Sequence, residues 1–123
     1  MKTIDAIILR REELRINNKN LRDISNASKC ADFVKAAFAE SCSLAYEITL
    51  LSSIINLNED ANKKQDALAS IQATIVILEK EHYSQYVLKM RDMEDSIRSE
   101  IAHYHWDISK LIEQWKELNK EGA

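Results

Sequence analysis

An arginine followed by two histidines, late in the chain, is the pattern in this sequence most suited to chemistry. Arg98 is followed by His103 and His105. Histidine titrates near neutral pH and can serve as a general acid or base. A guanidinium group can stabilise negative charge that develops on a phosphate. These three side chains are therefore candidates for acid–base chemistry at a phosphate group.

Helical geometry separates the two histidines. At 100° per residue, Arg98 and His105 lie about 20° apart on a regular helix, whereas Arg98 and His103 lie about 140° apart. His103 would need a distorted helix or a second subunit to join Arg98. The alternative is a solvated Arg98 that pairs with Glu94, one turn earlier.

The segment around these residues resembles the Arg-polar-x4–6-His signature of HEPN domains. Arg98 is followed by Ser99, and then by His103 after four intervening residues or His105 after six. HEPN domains commonly have Asn or Asp where this chain has Ser99. They are small helical bundles, many of them metal-independent ribonucleases of bacterial toxin and defence systems, and they typically pair to build the active cleft. The resemblance implies that Arg98, with His103 or His105, carries out metal-independent cleavage of RNA through its 2′-hydroxyl group, and that two domains pair to do so.

Two Glu-x-x-His units could suggest a metal centre. They are Glu79 with His82 and Glu100 with His103, and this spacing is the ligand unit of di-iron bundles. On one helix, the separation of 21 residues would place them about 31 Å apart. A single glycine, Gly122, also leaves no glycine-rich phosphate loop. We expect neither a metal nor another cofactor.

The elements that position these residues are predicted to be helices. The chain has 123 residues and no proline, and apolar residues recur with a helical period along most of it. Segments rich in Ser, Asn and Asp predict breaks near 23–28, 56–62 and 83–84. We therefore predict an all-α single domain, 1–123, folded as a four-helix up-down bundle, with helices at about 3–24, 29–57, 62–82 and 84–119.

A long two-armed helical hairpin is the alternative fold. In it, two coiled-coil arms would meet at a turn near 56–62, with no breaks near residues 25 and 83. The second predicted helix carries a second apolar stripe, which a bare hairpin would leave uncovered. That surface would then require dimerisation or a partner. The stripe consists of Phe33, Ala37, Leu44 and Leu51.

Trp106 is the principal candidate for partner binding. It falls roughly opposite the apolar stripe of the last predicted helix, and an exposed tryptophan is a common binding anchor. Ser99, Ala102 and His103 lie beside it on the helical wheel. A basic ridge in the first predicted helix is a second candidate surface, either for an acidic partner or RNA or as a solvated flank. It comprises Arg11, Arg15 and Arg22, with Lys19 between them.

Charge, cysteine content and hydropathy limit which ligands and which cellular compartment the sequence favours. The net charge is −3 and the sequence pI is about 5.6, which disfavours broad phosphate binding, so we expect no DNA partner. Cys30 and Cys42 are too far apart on one helix to bridge and are expected to be small buried hydrophobes in a reducing compartment. No signal peptide or 18-residue apolar stretch is recognised, which predicts a cytoplasmic protein without a membrane span.

Two functional hypotheses follow. The first is a non-enzymatic binding protein whose helix faces dock a protein partner or a second copy of the chain. It would act as an immunity protein, antitoxin, adaptor or secretion helper. The second is the HEPN-type ribonuclease, the only hypothesis with RNA as a ligand. Small size, acidic charge and the exposed position of Trp106 favour the first. Whether the protein is an enzyme stays open, with binding the favoured interpretation.

Overall fold

The fold consists of helices joined by short turns. The computed structural model describes residues 3–121, and the side chains of residues 3–120. Within that range there are three helices and no strand. The all-α prediction is therefore confirmed. The helices are α1 (Thr3–Ala27), α2 (Ala31–Lys80) and α3 (Ser84–Glu121).

The prediction of four helices is wrong for the described residues, because the break at 56–62 does not exist. The alternative fold, a hairpin with its turn near 56–62, is wrong for the same reason. The helices instead break at residues 28–30 and 81–83, close to the positions 25 and 83 at which the hairpin required continuous helix. Asparagine lowers helix propensity by about 0.6 kcal/mol relative to alanine. Burial outweighs this cost, since Ala61 is 1% exposed and Ile54 and Ile55 are also buried. No glycine or proline interrupts the backbone there.

The turn between α1 and α2 lies at residues 28–30, a few positions after its predicted place. The Ser28 hydroxyl accepts a hydrogen bond from the Cys30 amide at 3.1 Å. The Cys30 carbonyl accepts the first helical bond of α2, from the Val34 amide at 3.0 Å. The side chain of Ser28 thus satisfies an amide at the start of α2 that has no partner within the helix.

The turn between α2 and α3 is a Schellman motif built on a histidine. His82 has a φ of 61°, in the left-handed region. The Tyr83 amide donates to the Leu78 carbonyl at 3.0 Å, and the His82 amide donates to the Glu79 carbonyl at 3.2 Å. This pair of bonds ends α2. Glycine usually occupies that position, and a residue with a Cβ atom is strained in it.

The chain divides into two compact units, each with its own core. Unit 1 contains residues 1–55 and 111–123, and unit 2 contains residues 56–110. In unit 1, α1 runs antiparallel to the first part of α2, because Arg10 contacts Glu47 while Asn18 contacts Ser41. The apolar core of unit 1 comprises Ile7, Leu14, Ala37, Leu50, Leu51, Ile54 and Ile55.

Unit 2 pairs the second part of α2 with the first part of α3. The two helical segments run antiparallel. The Lys64 Nζ atom lies 2.8 Å from the Glu100 Oε2 atom, and the Arg91 Nη2 atom lies 2.7 Å from the Glu79 Oε1 atom. A fully buried isoleucine contributes about 1.5–3 kcal/mol, so a small number of such side chains holds this pair together. The buried apolar residues of unit 2 are Ala61, Ile71, Ile75 and Ile101.

Candidate functional site

Arg98 lies in unit 2, where its hydrogen-bond partner is a carboxylate on the same helix. Its Nη2 atom lies 3.5 Å from the Glu94 Oε2 atom. Glu94 is 6% exposed, and its other oxygen accepts a bond from Arg91 at 3.3 Å. The sequence-based alternative, an Arg98 that pairs with Glu94, is thus the arrangement in the structure.

Arg91 ties this carboxylate to the neighbouring helix. It donates to Glu79 of α2 at 2.7 Å as well as to Glu94 of α3. The bond to Glu79, followed by the bond to Glu94, raises the pKa of the Arg91 guanidinium above its ordinary value. Glu94 therefore shares two arginines and has a structural role in the pairing of α2 with α3.

The two candidate histidines lie on different parts of the α3 surface. The His103 ring stacks on Trp106 with centroids 6.1 Å apart, and its Nε2 atom lies 3.5 Å from the Asp107 Oδ2 atom. His105 is exposed. Because α3 is an unbroken helix through this region, His105 keeps the face of Arg98, about 20° away, and His103 does not. The catalytic assignment stays a prediction.

Trp106 lies on the surface of unit 2. The residue is 54% exposed, as its position opposite the apolar stripe of the helix predicts. The Lys110 Nζ atom sits 3.8 Å from the ring centroid, a cation–π contact worth about 0.5–1 kcal/mol at an exposed site. His103 covers another side of the indole. The result is a preorganised aromatic and cationic cluster, which we call the Trp106 cluster: His103, Trp106, Asp107 and Lys110.

The neighbours predicted for Trp106 are distributed around this cluster. Ser99 and His103 line a shallow depression of about 500 Å³ together with Glu100 and Tyr104. Ala102 is exposed on the same helix. Sequence reasoning missed Lys110 and Asp107. Their spacing of four residues from Trp106 and His103 was the signal that could have identified them.

The basic ridge of α1 divides into separate contacts. Arg11 donates to the Ser52 hydroxyl of α2 at 3.4 Å, and its Nε atom is buried without a hydrogen-bond partner. Arg15 pairs with Glu12 on its own helix at 3.0 Å. Arg22 is exposed, with no carboxylate within 4.0 Å among the described residues. Two of the three arginines thus lack a carboxylate partner in the described part of the chain.

Glu47 is a central residue that sequence reasoning missed. It is 8% exposed, and its Oε2 atom accepts bonds from Arg10 Nε and Trp115 Nε1, each at 3.1 Å. These donors come from α1 and α3, so one carboxylate joins three helices of unit 1. A glutamate inside an otherwise apolar stretch was the available signal, because buried charges are normally paired.

The remaining site predictions concern metals and cysteines. Among the described residues, no group of three or more His, Cys, Asp or Glu side chains could hold a metal ion. Glu79 and Glu100 instead pair with Arg91 and Lys64. The prediction of buried cysteines is wrong: Cys30, in the turn before α2, and Cys42, on α2, are both free and exposed.

Helix α2 bears on the membrane prediction. By length and composition alone it could cross a membrane, since an 18-residue window has a mean hydropathy of 1.2, and 28% of that window is buried. The expectation that the chain has no membrane span stays a prediction. Core helices of soluble proteins meet the same criterion, and α2 carries the ion-paired Glu47. The cytoplasmic location stays a prediction.

Comparison of the chain with protein-family models, with curated proteins and with solved structures gives no match.

Proposed function

We propose that this protein acts by binding other proteins through exposed faces of its helices. The observation that carries this proposal is the amount of apolar surface left in contact with water. Fifteen large hydrophobic residues are exposed, against eleven buried hydrophobic ones, among the described residues. Phe38, Leu88 and Ile77 are each more than 60% exposed. Where exposed apolar residues adjoin one another on a surface, they typically mark a site that is buried against a partner.

The Trp106 cluster is the proposed anchor of one such face. An indole that Lys110 and His103 already hold in place loses little side-chain entropy on binding. Tryptophan side chains of this kind supply much of the free energy of association at protein interfaces. Self-association as a dimer and docking of a different protein are both forms of this proposal, and both require no cofactor.

Replacement of the indole tests the anchor. We expect Trp106→Ala to weaken association about tenfold, or about 1.4 kcal/mol, while the far-ultraviolet circular dichroism stays unchanged. Sedimentation equilibrium of the purified chain measures self-association. Tyr86→Ala is the matched control, because Tyr86 is a half-exposed aromatic residue of the same helix. A protein that is monomeric, and that brings no partner with it from its native host, would contradict the proposal.

A metal-independent HEPN-type ribonuclease is the second candidate. Its support is the unbroken course of α3, which keeps Arg98 and His105 on one face. Against it, the Arg98 guanidinium already donates a hydrogen bond to the Glu94 carboxylate, which competes with a phosphate for that group. Incubation of RNA with the protein in the presence of a chelator tests it, with Arg98→Ala, His103→Ala and His105→Ala as comparisons. Intact RNA under conditions in which the protein is dimeric would rule it out.

A further inference from the structure

The pair formed by α1 and the first part of α2 has two long edges. On one edge Arg10 and Trp115 both donate to Glu47, so the end of α3 covers that edge. The other edge is marked by the bond from Arg11 to Ser52 at 3.4 Å. Arg10 and Arg11 are neighbours in sequence and therefore point about 100° apart on α1. The bond from Arg11 thus identifies a second edge that is distinct from the one α3 covers.

Helical geometry assigns further residues to this second edge. On α1, Arg15 and Arg22 lie within about 40° of Arg11, and Ile8 lies within about 60°. On α2, positions 34, 38 and 45 lie within about 40° of Ser52. We call the surface between these two rows the basic groove. Its walls are Ile8, Arg11, Arg15 and Arg22 on α1, and Val34, Phe38, Ala45 and Ser52 on α2.

The basic groove is open. Phe38 is 71% exposed, and Ile8 and Val34 are 37% and 38% exposed. Ala45 is exposed as well. An exposed phenylalanine in a row with valine and alanine forms an apolar strip along α2, and burying such a strip is favourable by about 25 cal/mol per Å². The groove therefore has an apolar surface for a partner to cover.

Its charge has a single sign. The α2 wall carries no charged side chain, and the α1 wall carries three arginines. Only Arg15 has a carboxylate within ion-pair distance among the described residues, and that is the exposed Glu12 beside it. Arg11 and Arg22 lie eleven residues apart, about 17 Å along the helix. An occupant would thus meet a row of cationic groups about three helical turns long.

We propose that the basic groove docks an amphipathic helix with an acidic flank, supplied by a different protein. The apolar face of that helix covers Phe38 and Val34, and its carboxylates pair with Arg11, Arg15 and Arg22. This inference rests on the proposed function and specifies the chemistry of a partner. In bidentate geometry, guanidinium groups bind carboxylates more selectively than lysine does.

A second copy of this chain fits the groove less well. A two-fold axis through the groove would bring the same three arginines of both copies together. The groove offers no carboxylate beyond Glu12 to meet them, and like charges across an interface disfavour association. Charge complementarity therefore selects a partner with acidic residues over self-pairing at this surface.

A designed peptide provides the test. The probe is a fluorescein-labelled helical peptide of about 18 residues with a leucine stripe at i, i+3, i+4 and i+7 and glutamates on both flanks. Fluorescence anisotropy measures its affinity for the full chain. We expect a peptide with lysines in place of the glutamates to bind at least about tenfold more weakly. We also expect binding of the glutamate peptide to weaken as salt rises.

Variants of the groove localise the binding. Phe38→Ser and the double change Arg15→Glu with Arg22→Glu should each reduce affinity for the glutamate peptide about tenfold or more. Ile77→Ser is the apolar control and Lys63→Glu with Lys80→Glu the charge control, since these residues are exposed in unit 2. Both controls should bind as the parent chain does. Circular dichroism confirms that each variant keeps its helices.

Several results would overturn the inference. These are equal affinity for the glutamate and lysine peptides, an affinity that the groove variants leave unchanged, and no binding of the glutamate peptide. Dimerisation that Phe38→Ser abolishes would assign the groove to a second copy. Displacement of the glutamate peptide by single-stranded RNA, or by anionic lipid vesicles, would assign it to those ligands. Association that still depends on Trp106 would show that the proposed function survives such a failure.

Discussion

Glu47 illustrates how one buried carboxylate can organise several helices. It is 8% exposed and accepts bonds from Arg10 and Trp115 on a single oxygen. A carboxylate buried without such donors would be costly, and the donors would in turn lose their acceptor if it were removed. The same principle applies to Glu94, which is 6% exposed and is held by Arg91 and Arg98.

Removal of the Glu47 carboxylate should destabilise the fold. Glu47→Ala leaves the Trp115 indole nitrogen and the Arg10 guanidinium without their acceptor, and we expect a loss of about 1–3 kcal/mol in the free energy of unfolding. Glu47→Gln keeps one acceptor oxygen and should lose less. Urea denaturation measures both changes, with Glu40→Ala, an exposed glutamate of the same helix, as the control. Equal stability of Glu47→Ala and the parent chain would contradict this role.

At the scale of elements, the continuity of α2 is the feature that sequence patterns did not indicate. The segment 56–62 has three asparagines and two acidic residues, a composition typical of turns and caps. It is nevertheless helical. Leu57 and Ala61, which lie within the segment, continue the row of partly or fully buried side chains along α2. Packing along this row outweighs local propensities, which differ by less than about 1 kcal/mol per residue.

Asn62→Ala distinguishes a continuous helix from a capped turn. In the interior of a helix, exposed asparagine is less favourable than alanine, so we expect stability to rise by about 0.6 kcal/mol. An N-cap asparagine would instead cost about 0.5–2 kcal/mol on replacement. The sign of the change in urea midpoint therefore decides between them. Ser28→Ala is the reference for a lost cap, because the Ser28 hydroxyl accepts the Cys30 amide bond; a loss at both positions would contradict the continuous helix.

At the scale of the whole molecule, charge is used in two ways. The net charge of −3 conceals a groove in unit 1 whose charged side chains are mainly arginines, and paired charges between helices in unit 2. In unit 2, the bond that Lys64 donates to Glu100, together with the charge of that carboxylate, raises the pKa of the Lys64 ammonium group above its ordinary value of 10.5. Global charge is thus a poor guide to the partner that each surface suits.

The raised pKa of Lys64 predicts a stability change in alkaline solution. The protonated form is favoured by folding, so its contribution is complete below the ordinary pKa of 10.5 and is lost as the pH rises through the higher folded-state value. The difference in urea midpoint between the parent chain and Lys64→Met should therefore shrink in the alkaline range. Lys63→Met serves as the control. A difference that stays constant up to about pH 12 would contradict the coupling.

Much of the candidate site could be read from helical periodicity. The surface position of Trp106 and the pairing of Arg98 with Glu94 both follow from spacing along one helix. The shared bonds of Glu47 could not be read in this way, because its two donors are 37 and 68 residues away in sequence. Such contacts depend on the register between helices, which local spacing does not specify.

The sequence by itself determined that this chain forms amphipathic helices and which side chains share a face, because the helical repeat is a local property of the backbone. Tertiary structure alone decided that α2 continues through residues 56–62, that Glu47 joins three helices and that the two cysteines are exposed. Each of these outcomes depends on which helix packs beside which. The free energy of that packing exceeds the small local preferences from which sequence patterns are read.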